Sequence, residues 1–386
     1  MRHLRPFLLV VLGAALLTGC GMFRGGDDPI EPPAELVDFE TTLRVDRLWS
    51  TRLGRGGDQL RLGLHPATNG TSVFAAGFAG RVTAVDFENG RRLWQTRLDE
   101  GLSAGPGYGD GMVVVGSVDG YLTLLDADTG EQRWSRFVGG ELLAPPAVSS
   151  RAIVARTVDG RLVALSPDDG RQLWLTEQPV PALTLRGNAP PVISSGFVVA
   201  AVDNGRLGVY QIGNGEPLWE QQLAAPAGRS ELERLVDINT RPTVIGSTVY
   251  AVGYQGRLVA MELETGEVGW ARDFSSYAGL GSDWERLYVV DAEGEVLAVS
   301  RRTGNSVWLN DRMRMRDLTA PQRVGESVVV GDYDGYVHWL SSSDGEFQAR
   351  VRTGSDRVIG LLPVGDAVVV QTADGRLDAY RPRGRD

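Results

Sequence analysis

One cysteine, three histidines and no lysine occur in the 386 residues, and each scarcity removes a class of protein. With Cys20 alone there is no internal disulfide, no Cys-based metal site and no adjacent cysteine pair. His3, His65 and His338 lack partners at ligand spacing, and no Ser/His/Asp arrangement can be read from the chain. Basic excess is missing too. Against 49 Asp and Glu stand 39 Arg, a formal net charge of −10, so the phosphate-neutralising surface of a general nucleic-acid binder is absent. The exclusive use of Arg is ascribed to genome composition. Helical periodicity is not evident beyond the first 19 residues. The chain reads as a non-enzyme with no cofactor and no metal.

The beginning of the chain reads as a targeting signal. Arg2 and Arg5 precede an apolar run, Phe7–Leu17, that is short for a membrane span. Leu17-Thr18-Gly19-Cys20 follows and resembles the lipobox of bacterial lipoproteins, which implies cleavage after residue 19 and acylation of Cys20. The alternative is an ordinary signal peptide with a chance cysteine. Three acyl chains exceed the two signals that stable anchoring needs, and Gly21 lacks the Asp that the lipoprotein rule associates with inner-membrane retention. The expected location is therefore the outer membrane, facing the periplasm. Residues 20–41, rich in Gly, Pro and acids, read as a lipidated disordered tether. It spans about 70 Å extended and averages nearer 25 Å as a coil.

Beyond the tether, one phrase recurs: Gly, then Gly ten residues on, then Trp four further. It reads Gly80–Gly90–Trp94, Gly120–Gly130–Trp134, Gly160–Gly170–Trp174, Gly205–Gly215–Trp219, Gly256–Gly266–Trp270 and Gly294–Gly304–Trp308. A seventh copy, Gly335–Gly345, has Ala349 where Trp is due, and an eighth begins at Gly375 and runs out of chain. The leading glycines lie 40, 40, 45, 51, 38, 41 and 40 residues apart, the period of a propeller blade. Residues 144–177 display one unit. Apolar runs at Ala144–Val148, Ile153–Val158, Arg161–Leu165 and Gln172–Thr176 are separated by turns, with Asp159-Gly160 read as a two-residue type I′ hairpin. The expectation is an all-β, eight-bladed β-propeller of four-stranded antiparallel blades over residues 42–386, with seven blades as the alternative.

The last unit stops without its Trp strand. Arg44–Leu53, containing Leu48-Trp49-Ser50, matches that strand, so the N-terminal segment is expected to complete the final blade and close the ring. Residues that recur once per blade obey the repeat's symmetry. The Trp side chains are therefore read as packing between blades, the glycines as φ > 0 turn residues, and Asp86, Asp126, Asp119, Asp159, Asp334 and Asp374 as turn carboxylates.

Two intervals overrun the period. Insertions lie between Trp174 and Pro191 and between Trp219 and Pro242. Both follow a fourth strand, so they emerge on the face that carries the Asp-Gly turns, and their blades are neighbours. Leu183 and Leu185 flanking Arg186, beside an acidic and polar loop that includes Asp237 and Asn239, suit a docking patch of apolar anchors with charge for register. The plainer reading folds the leucines back over a blade edge.

Phrases such as Thr83-Ala84-Val85-Asp86 and Val163-Ala164-Leu165, followed by Gly and Trp, resemble the repeats of the pyrroloquinoline-quinone propeller superfamily. Its enzymes use an adjacent Cys pair that this chain cannot form. Lipobox, acidic tether and eight such repeats together resemble the BamB family, propeller lipoproteins of the outer-membrane β-barrel assembly machinery. Pro181–Gly187, Leu235–Pro242 and Gly331–Leu340 carry that resemblance most specifically. It implies a non-catalytic scaffold assisting insertion of β-barrel proteins, with the POTRA domains of BamA and other assembly lipoproteins as partners. Leu183, Leu185, Arg186, Asp237 and Asn239 would carry the contact, although the family often has Asp at the position of Asn239. Two other readings are a module that binds unfolded client chains by strand addition and a quinone-dependent dehydrogenase.

Overall fold

Strands such as Met112–Ser117 and Tyr121–Asp126 are apolar at successive positions, not alternate ones, and nearly every residue in them is buried. A strand covered on both faces needs that pattern, and the architecture supplies the two covers. In the computed structural model, which describes residues 31–53, 63–177, 189–202, 205–223, 238–354 and 356–383, the strands form eight antiparallel sheets of four. These are blades I (67–97), II (102–137), III (147–177), IV (192–222), V (243–274), VI (280–310), VII (322–352) and VIII (358–383 with Arg44–Arg52).

Eight apolar clusters occur among the described residues, and each is shared by two consecutive blades. Alternate residues of one strand serve different seams. Val113 and Val115 pack towards blade I, whereas Met112 and Val114 pack towards blade III. The cluster of Trp49, Val369 and Leu377 with Val73 and Val85 joins blade VIII to blade I, so the ring closes. Closure comes from Arg44–Arg52, which pairs antiparallel with Arg376–Arg383 from Arg44 opposite Arg383 to Arg52 opposite Arg376.

The recurrent Trp and the second Gly of the phrase turn out to be one device shared across each seam. Trp49, Trp94, Trp134, Trp174, Trp219, Trp270 and Trp308 each donate Nε1–H to a carbonyl of the next blade at 2.6–2.9 Å. Each indole lies on that blade's turn glycine. A Cβ on Gly90, Gly130, Gly170, Gly215, Gly266, Gly304 or Gly345 would come within 2.5–2.9 Å of the ring, and all seven have positive φ. This explains Ala349. Blade VIII takes its third strand from the C-terminal end and its fourth from the N-terminal segment, so it has no third-to-fourth turn to receive an indole. At that seam Ala349 packs with Trp339, Val370 and Tyr380 instead.

Two expectations need correction. The Asp-Gly turns are not two-residue type I′ hairpins. At Thr157–Gly160 the Gly160 amide donates to Thr157 O at 3.2 Å, and Thr157 N reaches Arg161 O at 2.9 Å. Gly160 has φ 83°, whereas Asp159 is absent from the positive-φ residues. This is a three-residue loop, a turn closed by a left-handed Gly, where a side-chain oxygen in the turn accepts from Thr and stabilises it. The packed part of the chain also begins earlier than residue 42. Ala34–Asp386 forms one compact unit. Phe39 stacks on Phe347 at 5.1 Å, while Arg350 Nη1 donates to Val37 O and Arg316 Nη1 to Ala34 O. Val37 and Phe39 supply apolar anchors inside a stretch whose overall composition suggested disorder.

Candidate partner-docking face

Each blade's second-to-third turn and its link to the next blade emerge on the same face of the ring, since the start of the third strand pairs with the end of the fourth. In blade III, Arg161 lies opposite Glu177, and its guanidinium reaches Asp159 at 3.4 Å and Glu177 at 3.3 Å. The insertion of blade III leaves from Glu177 and returns at Ala189. That of blade IV leaves from Leu223 and returns at Ile238. Ala189, Leu223 and Ile238 are buried in the same apolar cluster, at the seam between blades IV and V. One core thus anchors the return of the first insertion and both ends of the second, bringing their bases together on one face.

Leu183, Leu185, Arg186 and Asp237, like Cys20, lie outside the described residues. Asn239 lies inside them. It is half-buried next to fully buried Ile238, and its Oδ1 is enclosed without a hydrogen-bond donor among the described residues. Thr240 beside it donates Oγ1–H to Val252 O at 2.8 Å, tying the loop to blade V.

Sequence reasoning missed an aromatic pair on the same face. Tyr254, in the second-to-third turn of blade V, stands 5.5 Å from Tyr277, in the link to blade VI. Tyr277 is 49% exposed and donates its hydroxyl to Ala292 O at 2.7 Å. Neither residue breaks the repeat's length, so spacing gave no signal for them.

The neighbouring turn of blade VI holds a perturbed carboxyl. Asp291 Oδ1 accepts the amides of Glu293 at 3.0 Å and Glu295 at 2.7 Å. Burial, reinforced by the charges of Glu293 and Glu295, pushes Asp291 up to about 6 from 3.8. A raised carboxyl contributes stability that is complete below 3.8 and lost as pH rises through about 6. Asp291→Asn keeps the amide acceptor and removes the charge. It should stabilise the propeller by about 1–2 kcal/mol at pH 8, solvent screening included. Urea midpoints should converge with the parent's near pH 4; an equal gain at both pH values would exclude titration of Asp291 as the cause.

A closed ring of eight four-stranded blades, sealed by its N-terminal strand and broken on one face by two adjacent insertions, defines a β-propeller whose distinguishing surface is a loop face. Quinohemoprotein alcohol dehydrogenase from Comamonas testosteroni shares this fold, with a TM-score of 0.65 at 13% identity over 87% of this chain and 76% of that one. The closer kinship is elsewhere. The family model for outer membrane protein assembly factor BamB matches residues 78–310, and the chain belongs to that family. The BamB of Pseudomonas aeruginosa is 47% identical over 91% of this chain and 93% of its own length. That of Xanthomonas campestris is 35% identical over 98% of this chain and 97% of its own. The crystal structure of BamB from Moraxella catarrhalis superposes with a TM-score of 0.79 at 27% identity, covering 88% of this chain and all of that one.

Proposed function

We propose that this chain is a non-catalytic assembly factor for outer-membrane proteins, held at the outer membrane by lipid on Cys20 and working in the periplasm as a scaffold. Its partner is the POTRA region of BamA, and the contact is made by the two insertions: Leu183, Leu185 and Arg186 from one, Asp237 and Asn239 from the other. The observation that carries this reading is the shared anchoring of both insertions through Ala189, Leu223 and Ile238 at one seam. Family membership supplies the assembly role, and the residue chemistry supplies the contact, two leucine anchors around an Arg opposite an acidic loop. Tyr254 and Tyr277 extend the same surface with low-entropy aromatic area.

Capture of BamA by the full chain tests the assignment. Leu185→Ala combined with Asp237→Ala should weaken binding by about 2 kcal/mol or more, roughly thirtyfold. Unchanged capture by the double variant would remove these residues from the interface.

A further inference from the structure

Seven seams of the ring are locked by an indole, and the seam between blades VII and VIII is not. At five of the seven, the side chain two residues beyond the Trp adds a second tie. Thr51, Thr96, Thr176, Arg272 and Asn310 donate to the carbonyls of Gly90, Gly130, Gly215, Gly304 and Gly345 at 2.6–3.4 Å. Between blades VII and VIII both positions are apolar, Ala349 and Val351, and no third-to-fourth turn faces them.

That seam buries polar atoms without partners. Side chains along a strand alternate between its two faces. Val370 and Tyr380 pack with Trp339 of blade VII, so Asp378, opposite Val370 and two residues before Tyr380, faces the same seam. Among the described residues, six enclosed polar atoms outside arginine heads lack a hydrogen-bond partner. Four of the six are here: both oxygens of Asp378, the Tyr380 hydroxyl and Trp339 Nε1. Asp378 is fully buried, and Arg376 Nε stands 4.0 Å from its Oδ1. Burial pushes the carboxyl up against the pull of Ser50, Arg376 and Arg47. Buried polar groups without hydrogen bonds weaken the interface that encloses them.

The N-terminal segment spans this seam from outside. Its upstream part is held on blade VII, where Phe39 stacks on Phe347 and Arg350 Nη1 donates to Val37 O at 3.0 Å. Thr42 N and Leu43 N donate to Gln348 O at 3.0 and 3.1 Å. Its downstream part, Arg44–Arg52, belongs to blade VIII. At the crossing, Leu43 and Val45 pack against the cluster of Trp339, Ala349 and Tyr380.

We propose that the seam between blades VII and VIII is the built-in opening point of the ring, and that residues 34–43 are the latch that holds it shut. A seam with no indole lock and with orphaned polar groups separates at a lower free energy than its seven counterparts. A segment anchored on blade VII and continuous with a strand of blade VIII must release the first before the two can part. Opening at this seam keeps Arg44–Arg52 paired with Arg376–Arg383, so blade VIII moves as a unit.

Thiol labelling of the full chain in detergent reads each seam separately, with the labelled site assigned by peptide mass. Val370 and Val115 each lie five residues before the leading glycine of their blade. Both are fully buried, the first in the seam between blades VII and VIII and the second in that between blades I and II. Under native conditions Val370→Cys should react with a small thiol reagent about tenfold faster or more than Val115→Cys, each relative to its rate in the unfolded chain. Adding Phe39→Ala should speed labelling of Val370→Cys about tenfold further and leave that of Val115→Cys unchanged. Asp378→Val, which removes the orphaned carboxyl and keeps the latch, should slow it. Equal rates for Val370→Cys and Val115→Cys overturn the weak seam. A Phe39→Ala effect that is absent, or the same at both sites, overturns the latch. Unchanged labelling in Asp378→Val overturns the assignment of the weakness to the buried carboxyl.

Discussion

Asp332→Ala should cost the propeller about 3–5 kcal/mol, because it strips the buried carboxylate that compensates the Arg316 guanidinium. Asp332 is fully buried. Its Oδ1 accepts the amides of Asp334 at 3.0 Å and Tyr336 at 2.9 Å. Its Oδ2 accepts from Arg316 Nε at 2.8 Å and meets His338 Nε2 at 3.1 Å. Arg350 Nε donates to His338 Nδ1 at 3.2 Å, which fixes the imidazole as the neutral Nε2–H tautomer. Alanine would leave the Arg316 charge uncompensated and two turn amides without their acceptor. Arg316 also holds Ala34 O, and Arg350 holds Val37 O, so the variant should release the segment 34–39 as well. Urea unfolding measures the first effect, and protease cutting near Phe39 in the native state measures the second. A loss below about 1 kcal/mol would mean the cluster contributes only shape.

The same cluster makes stability sensitive to acid. Burial holds His338 below its ordinary 6.5, outweighing the pull of Asp332. Burial alone would raise Asp332, but the hydrogen bond from His338 and its other donors keep it below 3.8. In both cases the unfolded chain takes up the proton first. Stability is therefore complete above 6.5, declines as pH falls below that value, and declines again below 3.8.

Trp134→Ala should be of similar size, about 3–5 kcal/mol. The side chain is 6% exposed, its Nε1–H is bound to Pro167 O at 2.9 Å, and its ring covers Gly170. Truncation removes the apolar contact from the seam between blades II and III and leaves Pro167 O without its donor. Thermal unfolding of the purified chain gives the measurement. A shift no larger than that of a surface substitution would show that the indole merely fills space that neighbours can reoccupy.

Much of this was legible because a repeat repeats its physics. The period of the glycines gave eight units, and the missing Trp strand after Gly375 matched by Trp49 gave the closure. Both are confirmed by the pairing of Arg44–Arg52 with Arg376–Arg383. What escaped were relations between residues far apart in sequence. The tie between Trp134 and Gly170 crosses a seam, so it looked like two separate rules, one for Trp and one for Gly. Ala349 looked like a lapse until blade VIII was seen to lack the turn that an indole needs. Val37 and Phe39 sat in an acidic, Pro-rich stretch, and nothing local said that Phe347 and Arg350 would receive them. Gly331–Leu340 stood out in the sequence without a role; it supplies Asp332 and His338, the centre of that docking cluster.

The candidate docking face divides in the same way. The overrun of two repeat intervals marked the insertions, and topology set their side of the ring. Their common root at Ala189, Leu223 and Ile238 needed the packed seam, and the exposed pair Tyr254 and Tyr277 needed the neighbouring blade.

By itself the sequence determined the class of fold, the blade count, the closing strand and the location of the irregularities, because strand patterning, turn glycines and period are local quantities. Only the tertiary structure decided which side chains meet across seams. Contacts such as Arg316 with Asp332, Phe39 with Phe347, and Trp134 with Gly170 join residues that share no local pattern. They arise only when the ring closes and brings distant strands within a few ångströms.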